Sequence, residues 1–141
     1  MITDDLSNIP FEEAEFSVLD VETTGLTARY NGIIEIGIVK VRGLKIIEKY
    51  ETLINPGRQI PFYITQFTGI TDDDIFNAPF FEDVSEEIEE FISGSVITAH
   101  NLSFDRSFLN KEFLMIGKEK PGNPQLCTLR LSKRLYPELR K

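Results

Sequence analysis

Soft and imidazole metal ligands are nearly missing from this sequence: 141 residues include one cysteine, Cys127, one histidine, His100, and no tryptophan. A lone cysteine excludes an intramolecular disulfide framework, and one imidazole beside it cannot build a zinc cluster. Any metal here must be hard and oxygen-bound. Long apolar runs are missing as well. No stretch reaches the roughly 18 uncharged residues of a membrane span, and the opening MITDDLSNIP has neither a basic start nor an apolar signal core. The expectation is a cytoplasmic chain with no membrane partner. Positive charge is scarce, with 15 Lys/Arg against 23 Asp/Glu and a net charge of -8, which ordinarily counts against nucleic acid, whose phosphates are neutralised by Lys and Arg. The distribution softens that exclusion. Residues 106–141 hold nine Lys/Arg against three Asp/Glu, so a basic end adjoins a strongly acidic body.

What is present is enough apolar material for a core. With 41% hydrophobic residues and eleven phenylalanines, residues 1–141 are expected to form one compact domain. Three stretches, Phe16 to Val21, Ile33 to Val41 and Lys45 to Ile54, are rich in β-branched and aromatic residues. Turn signals at Gly25, Asn31-Gly32 and Arg42-Gly43 separate them, so they predict a three-strand meander. PFYITQFTGI and TDDDIFNA then read as short helical turns, with Thr71 as an N-cap ahead of Asp72, Asp73 and Asp74. Phe81, Val84, Ile88, Phe91 and Ile92 recur at helical spacing opposite a solvated run of glutamates. Val96 to Ala99 predicts a buried strand, and Ser103 to Ile116 a helix with Phe104, Phe108, Leu109 and Phe113 as its stripe. Gln125 to Cys127 predicts a further core strand and Thr128 to Tyr136 a last helix. Strands first, then strand and helix in alternation, predicts an α/β layer fold with a mixed sheet.

One stretch breaks the pattern. In FSVLDVETTGL, Asp20 and Glu22 interrupt an apolar strand, and the period of two puts both on the same face with Val18. Two like charges in a low-dielectric setting require either a proton or a neutralising cation. An exposed edge strand, alternating polar and apolar, is the competing explanation. A site is favoured by the hydroxyl-rich Thr23-Thr24-Gly25 turn that follows and by a third acid, Asp105, at the start of a helix after a second short strand. Strand ends and helix starts converge at one edge of such sheets, where ligands bind. Three carboxylates meeting there suit Mg²⁺ or Mn²⁺.

The ordered set FSVLDVETTGL, IIEIGIVKV, TGIT at Thr68 to Thr71 and AHNLSFDRSFL resembles the DEDD (DnaQ-like) family of 3'-5' exonucleases, in its proofreading branch associated with bacterial DNA polymerase III. The resemblance covers about Phe16 to Tyr136. It implies a ribonuclease H-like fold, a mixed five-stranded sheet flanked by helices, and metal-dependent release of nucleoside 5'-monophosphates from single-stranded DNA, with RNA trimming or a non-catalytic binding module as alternatives. It further implies that Asp20, Glu22 and Asp105 are the catalytic, metal-holding residues. Thr23, Gly25 and Leu26 would meet the terminal nucleotide, with His100, Asn101 and Phe104 on the other wall. Taken without the family, Thr23 and Thr24 close a turn, Leu26 and Phe104 are core, His100 ends a strand satisfied by backbone, Asn101 and Ser103 are helix caps, and Cys127 is a small buried hydrophobe.

The family's closing histidine and fourth aspartate do not occur before Lys141. The expectation is therefore a domain incomplete at its C-terminal helix: a piece of a longer enzyme, ahead of a shortened inactive homologue or a chain completed by a partner. The face such a helix would cover makes a homodimer an additional expectation.

Overall fold

The computed structural model describes residues 8–139; Arg140 and Lys141, part of the basic end, lie outside them. Five strands form one sheet: β1 (Glu15–Thr23), β2 (Ile33–Arg42), β3 (Lys45–Leu53), β4 (Val96–Ala99) and β5 (Gln125–Cys127). Their spatial order is β3-β2-β1-β4-β5. The meander β1–β2–β3 is antiparallel, whereas β4 adds parallel to β1 and β5 parallel to β4. The connections carry α1 (Phe62–Thr68), α2 (Asp72–Phe76), α3 (Phe81–Ile92), α4 (Leu102–Met115) and, at the end, α5 (Thr128–Leu135). This is the expected mixed five-stranded sheet flanked by helices.

The apolar stripe of α3 is buried as its spacing predicts, and with Phe108, Leu109 and Phe113 of α4 it covers the face of the sheet that presents Leu19, Val21, Ile36 and Ile38. Each such side chain, fully buried, contributes about 1.5–3 kcal/mol. Phe81 and Phe113 meet edge to face at 5.0 Å, locking α3 to α4. At the start of the parallel pair, the Ser17 and Ser95 hydroxyls share a buried 2.6 Å hydrogen bond, which satisfies both polar groups where β1 meets β4.

A β-bulge shapes the site end of the sheet. Glu22 stands opposite Glu35, yet the next residue, Thr23, stands opposite Ile33, so Ile34 is the extra residue of β2. Displaced from the ladder, Ile34 is buried in a second cluster with Ile60, Ile70 and Ile75, against which Ile64 of α1 packs. The bulge thus anchors α1 beside the carboxyl end of β1. Downstream, Gly69 ends α1 in the left-handed conformation, and Thr71 caps α2 through reciprocal bonds with Asp74.

Two expectations need correction, and the competing explanation of β1 as an edge strand fails: β1 is central in the sheet and buried on one face only, with Val18 and Asp20 exposed. β5 is a half-buried edge strand rather than core, because among the described residues nothing pairs with its outer side. Cys127 is half-buried, and its Sγ accepts the Leu102 N–H at 3.4 Å instead of acting as an inert hydrophobe. Burial works to raise its thiol, but N–H groups of Arg130, Leu102, Asn101 and Leu129 outweigh it and hold the thiol below its ordinary range. No helix among the described residues is long and apolar enough to cross a membrane.

Candidate active site

The parallel pairing of β1 with β4 sets the geometry. Both strands point their carboxyl ends the same way, and α4 begins directly after β4, so Asp105 in its first turn arrives beside the end of β1. Asp105 is 3% exposed, and its Oδ1 accepts the backbone N–H of Val21 at 3.1 Å. That bond brings the third acid to the strand that carries Asp20 and Glu22. The three carboxylates then act on one another. Burial pushes the Asp105 carboxyl up to about 6, opposed by the Val21 N–H and reinforced by the charges of Asp20 and Glu22. Glu22 is raised as well, by burial and then by Asp20.

Two further acids join them, which the strand pattern alone did not single out. Glu35 lies directly opposite Glu22, and Glu51 lies opposite Gly37, which in turn faces Asp20. All four therefore share the open face of the sheet. Glu35 is pushed up by burial, by Glu51 through charge and a shared hydrogen bond, and by Glu22 and Asp20. Like charges across a ladder destabilise it, and the ion pairs found among the described residues, Arg42–Glu15 and Lys118–Glu89, lie elsewhere. The signal was available in IIEIGIV, where one acid interrupts an otherwise apolar strand.

This donor set is entirely hard oxygen with negative charge in excess, which fits a divalent cation of the Mg²⁺ or Mn²⁺ kind. Among the described residues, no three acidic, histidine or cysteine side chains are already gathered as a finished cage. Neutralisation by an ion would remove the repulsion that adds to burial in raising Glu22 and Asp105.

Beside the acids is an apolar cleft of about 440 Å³. Asp20, Glu22, Thr23, Gly25, Leu26 and Phe104 line it together with Tyr63, Ile64, Phe67 and Thr68 of α1. Leu26 is 82% exposed, so it is not core. A locked turn holds it there. Thr24 Oγ1 donates to Asn31 Oδ1 at 3.0 Å and accepts the Gly32 N–H at 3.1 Å, Asn31 Nδ2 donates to the Thr27 carbonyl, and Lys111 Nζ donates to the Asn31 carbonyl. Thr23 Oγ1 closes the same turn by donating to the Gly25 carbonyl at 2.7 Å. Phe104 is half-buried, packed on Phe108 with ring centroids 5.0 Å apart, and still borders the cleft.

His100 and Asn101 are not among these lining residues. The His100 ring meets Thr128 Oγ1 through Nδ1 at 3.0 Å, a hydroxyl partner rather than backbone. Asn101 adopts a left-handed φ of 68° ahead of α4 without capping it, and its side chain accepts from Ser103 instead. Asparagine tolerates that conformation, and the residue opens toward a separate hollow lined by Arg106, Cys127 and Arg130. Tyr63 and Phe67 were missed because aromatics in PFYITQFTGI resemble core as readily as cleft wall.

A family model described as exonuclease, RNase_T, matches residues 17–141. DNA polymerase III PolC-type of Bacillus subtilis is 45% identical over 130 residues, covering 92% of this chain and 9% of that protein. The Halalkalibacterium halodurans protein of the same name is 44% identical over 134 residues, covering 95% of this chain and again 9% of its own length. The chain thus spans about a tenth of these relatives. Among solved structures, exonuclease X in complex with 5' overhanging duplex DNA superposes with a TM-score of 0.72 at 30% identity, covering 89% of this chain and 66% of that one. A product-bound structure of exonuclease I gives a TM-score of 0.81 at 16% identity, over 92% of this chain and 34% of that one, a likeness of fold. With the acids, the sheet order and the matched residues in agreement, the chain belongs to the exonuclease family.

Proposed function

We propose that this chain is a single 3'-5' exonuclease domain of the proofreading type, which hydrolyses the last phosphodiester of single-stranded DNA and releases nucleoside 5'-monophosphates. The observation that carries this is the convergence of Asp20, Glu22 and Asp105 beside an exposed apolar cleft, with no ion pair among the described residues to relieve their charge. Asp20 and Glu22 from β1 and Asp105 from α4 would hold Mg²⁺ or Mn²⁺. When bound, such ions supply Lewis-acid activation of water and neutralise charge on the leaving oxygen.

The chain's own residues do the rest. The Val21 N–H orients Asp105, the Thr24–Asn31 lock presents Leu26, and Leu26, Phe67 and Phe104 offer apolar surface to the terminal base. The Thr23–Gly25 turn brings backbone close to the nucleotide. His100 is engaged by Thr128 outside the cleft, so no proton transfer is assigned to it. A DNA polymerase partner in the bacterial cytoplasm is the setting that the PolC-type relatives support. We further propose self-association through the face that the expected C-terminal helix would cover, which light scattering at high concentration tests.

The assay uses a 3'-labelled single-stranded DNA oligomer, with a matched RNA oligomer alongside. It is run in a chain continued past Lys141 through the histidine-bearing motif that the family resemblance implies. Rapid release of labelled nucleoside monophosphate from DNA, abolished by Asp20→Ala, is expected. Equal rates before and after Asp20→Ala would sink the site assignment.

A further inference from the structure

A second hollow borders the start of α4, apart from the acidic cleft. It encloses about 250 Å³ and is lined by Asn101, Ser103, Arg106, Gln125, Cys127 and Arg130. Its charge is the opposite of the cleft's: two arginines border it and no acid does. The chain as a whole runs the other way, with 23 Asp/Glu against 15 Lys/Arg.

α4 serves both places. Phe104 lines the cleft, and the next residue, Asp105, gives its carboxylate to the Val21 N–H of β1. Arg106 follows about 100° further around the helix and reaches β5 instead, where its Nη1 donates to Gln125 Oε1 at 2.9 Å. That neutral partner holds the guanidinium in place and leaves its charge unmatched. Among the described residues the ion pairs are Arg42–Glu15 and Lys118–Glu89, so neither Arg106 nor Arg130 has a carboxylate. Two cations at one hollow repel each other, the mirror image of the acids in the cleft. Arginines that were merely solvated would account for the charge, but not for the tether to Gln125 or for a wall free of acids. Each guanidinium is a planar fork that takes two oxygens of an oxyanion at once. A carboxylate would occupy one fork, whereas a phosphate has oxygens and charge enough for two.

We propose that this hollow is a phosphate-binding site separate from the acidic cleft, in which Arg106 and Arg130 take the phosphate oxygens between them. The phosphate comes from the backbone of a strand whose 3' end is in the cleft, or from a free nucleotide. Only the first source rests on the exonuclease reading.

The test uses Cys127, the one cysteine of the chain, as a reporter in the wall of the hollow. Neighbouring N–H groups hold its thiol below the ordinary range, which favours alkylation near neutral pH. Its modification by iodoacetamide is followed by intact mass with inorganic phosphate in EDTA, and with thymidine 5'-monophosphate or an octamer of thymidylate in Ca²⁺. Thymidine and sodium chloride at matched ionic strength are the controls. At about tenfold excess over its dissociation constant, phosphate is expected to slow alkylation about tenfold, whereas neither control protects. Arg106→Gln combined with Arg130→Gln should abolish the protection; both residues are exposed, so the fold survives the change. Protection by the octamer at lower concentration than by the monophosphate would assign the site to the strand, and the reverse order would assign it to the free nucleotide. Slowing by phosphate no greater than by sodium chloride, or protection that persists in the double variant, would overturn the site. The exonuclease reading is judged separately by release of the 3' label, so either can fail without the other.

Discussion

The Val21 backbone N–H donates to Oδ1 of Asp105 across 3.1 Å, joining residues 84 positions apart. The bond is made on a carboxyl that burial and neighbouring acids have pushed up to about 6. The native state therefore holds this proton more tightly than the unfolded chain, whose value is near 3.8. Between about pH 4 and 6 the native state binds more protons, so stability from this group falls as pH rises. Above pH 6 the ionised carboxylate costs about 3 kcal/mol relative to its protonated form, at about 1.4 kcal/mol per pH unit. Asp105→Asn keeps an acceptor for Val21 and removes the titration. Its urea stability, relative to wild type, should rise between pH 4.5 and 7.5; identical pH slopes for the two chains would refute this.

A divalent ion should reverse the same penalty. Mg²⁺ or Mn²⁺ binds ionised carboxylates, so it competes with the proton on Asp105 and on Glu22, both raised above their ordinary values. At a hundredfold excess over its dissociation constant an ion that binds only the native state adds about 2.7 kcal/mol. Thermal melts should show an ion-dependent rise that is larger at pH 7.5 than at pH 5.5, and lost in Asp20→Asn. In the absence of ions, Glu35→Gln should raise the melting temperature by removing a charge opposite Glu22. A lower melting temperature for Glu35→Gln would show that the carboxylate is instead held by favourable contacts.

The meander, α3 and the composition of the core were legible because their signals are local. Val84, Ile88 and Phe91 fall at helical spacing, and Ile33, Ile36 and Ile38 of the β-branched Ile33–Val41 run are buried with them. What decides β1 is not local. FSVLDVET alternates, and whether it is an edge or the centre depends on pairing with Val96 to Thr98, about 80 residues away. The Ile33–Ile34 pair looks uniform in sequence, but the bulge sends only Ile34 to the second cluster, and this places α1. Asp20, Glu22, Thr23, Gly25, Leu26 and Phe104 line one cleft, whereas His100 and Asn101 do not line it, and Asn101, left-handed ahead of α4, borders a separate hollow. Tyr63 stayed hidden because an aromatic residue carries no mark that separates a wall from a core.

The β2–β3 turn carries avoidable strain. Gly43 and Leu44 both have positive φ, 56° and 62°, as the two-residue turn matching strand twist requires. Glycine adopts this freely, but leucine pays for its Cβ, and Leu44 is 84% exposed with no compensating burial. Leu44→Asn should stabilise the chain by about 0.5–1 kcal/mol, read as a higher urea midpoint with unchanged slope. A lower midpoint would mean that the leucine side chain makes a contact worth more than its strain.

Gly25 is required by a neighbour rather than by its backbone. A Cβ there would approach Asn31 Oδ1 to 2.5 Å and its Cγ to 2.6 Å. That side chain cannot simply swing aside, because it accepts from Thr24 Oγ1 and donates to the Thr27 carbonyl. Gly25→Ala must therefore break the lock that presents Leu26. The loss of one part-buried and one exposed hydrogen bond should cost about 1–3 kcal/mol, and binding of a single-stranded oligomer should weaken with it. Asn31→Ala removes both the obstacle and the lock, so Gly25→Ala added to Asn31→Ala should cost almost nothing more. A double-mutant cycle separates the two explanations. Coupling near the full single-mutant cost means that Gly25 acts through Asn31, whereas additive costs would mean that the glycine is needed for close approach of the nucleotide itself.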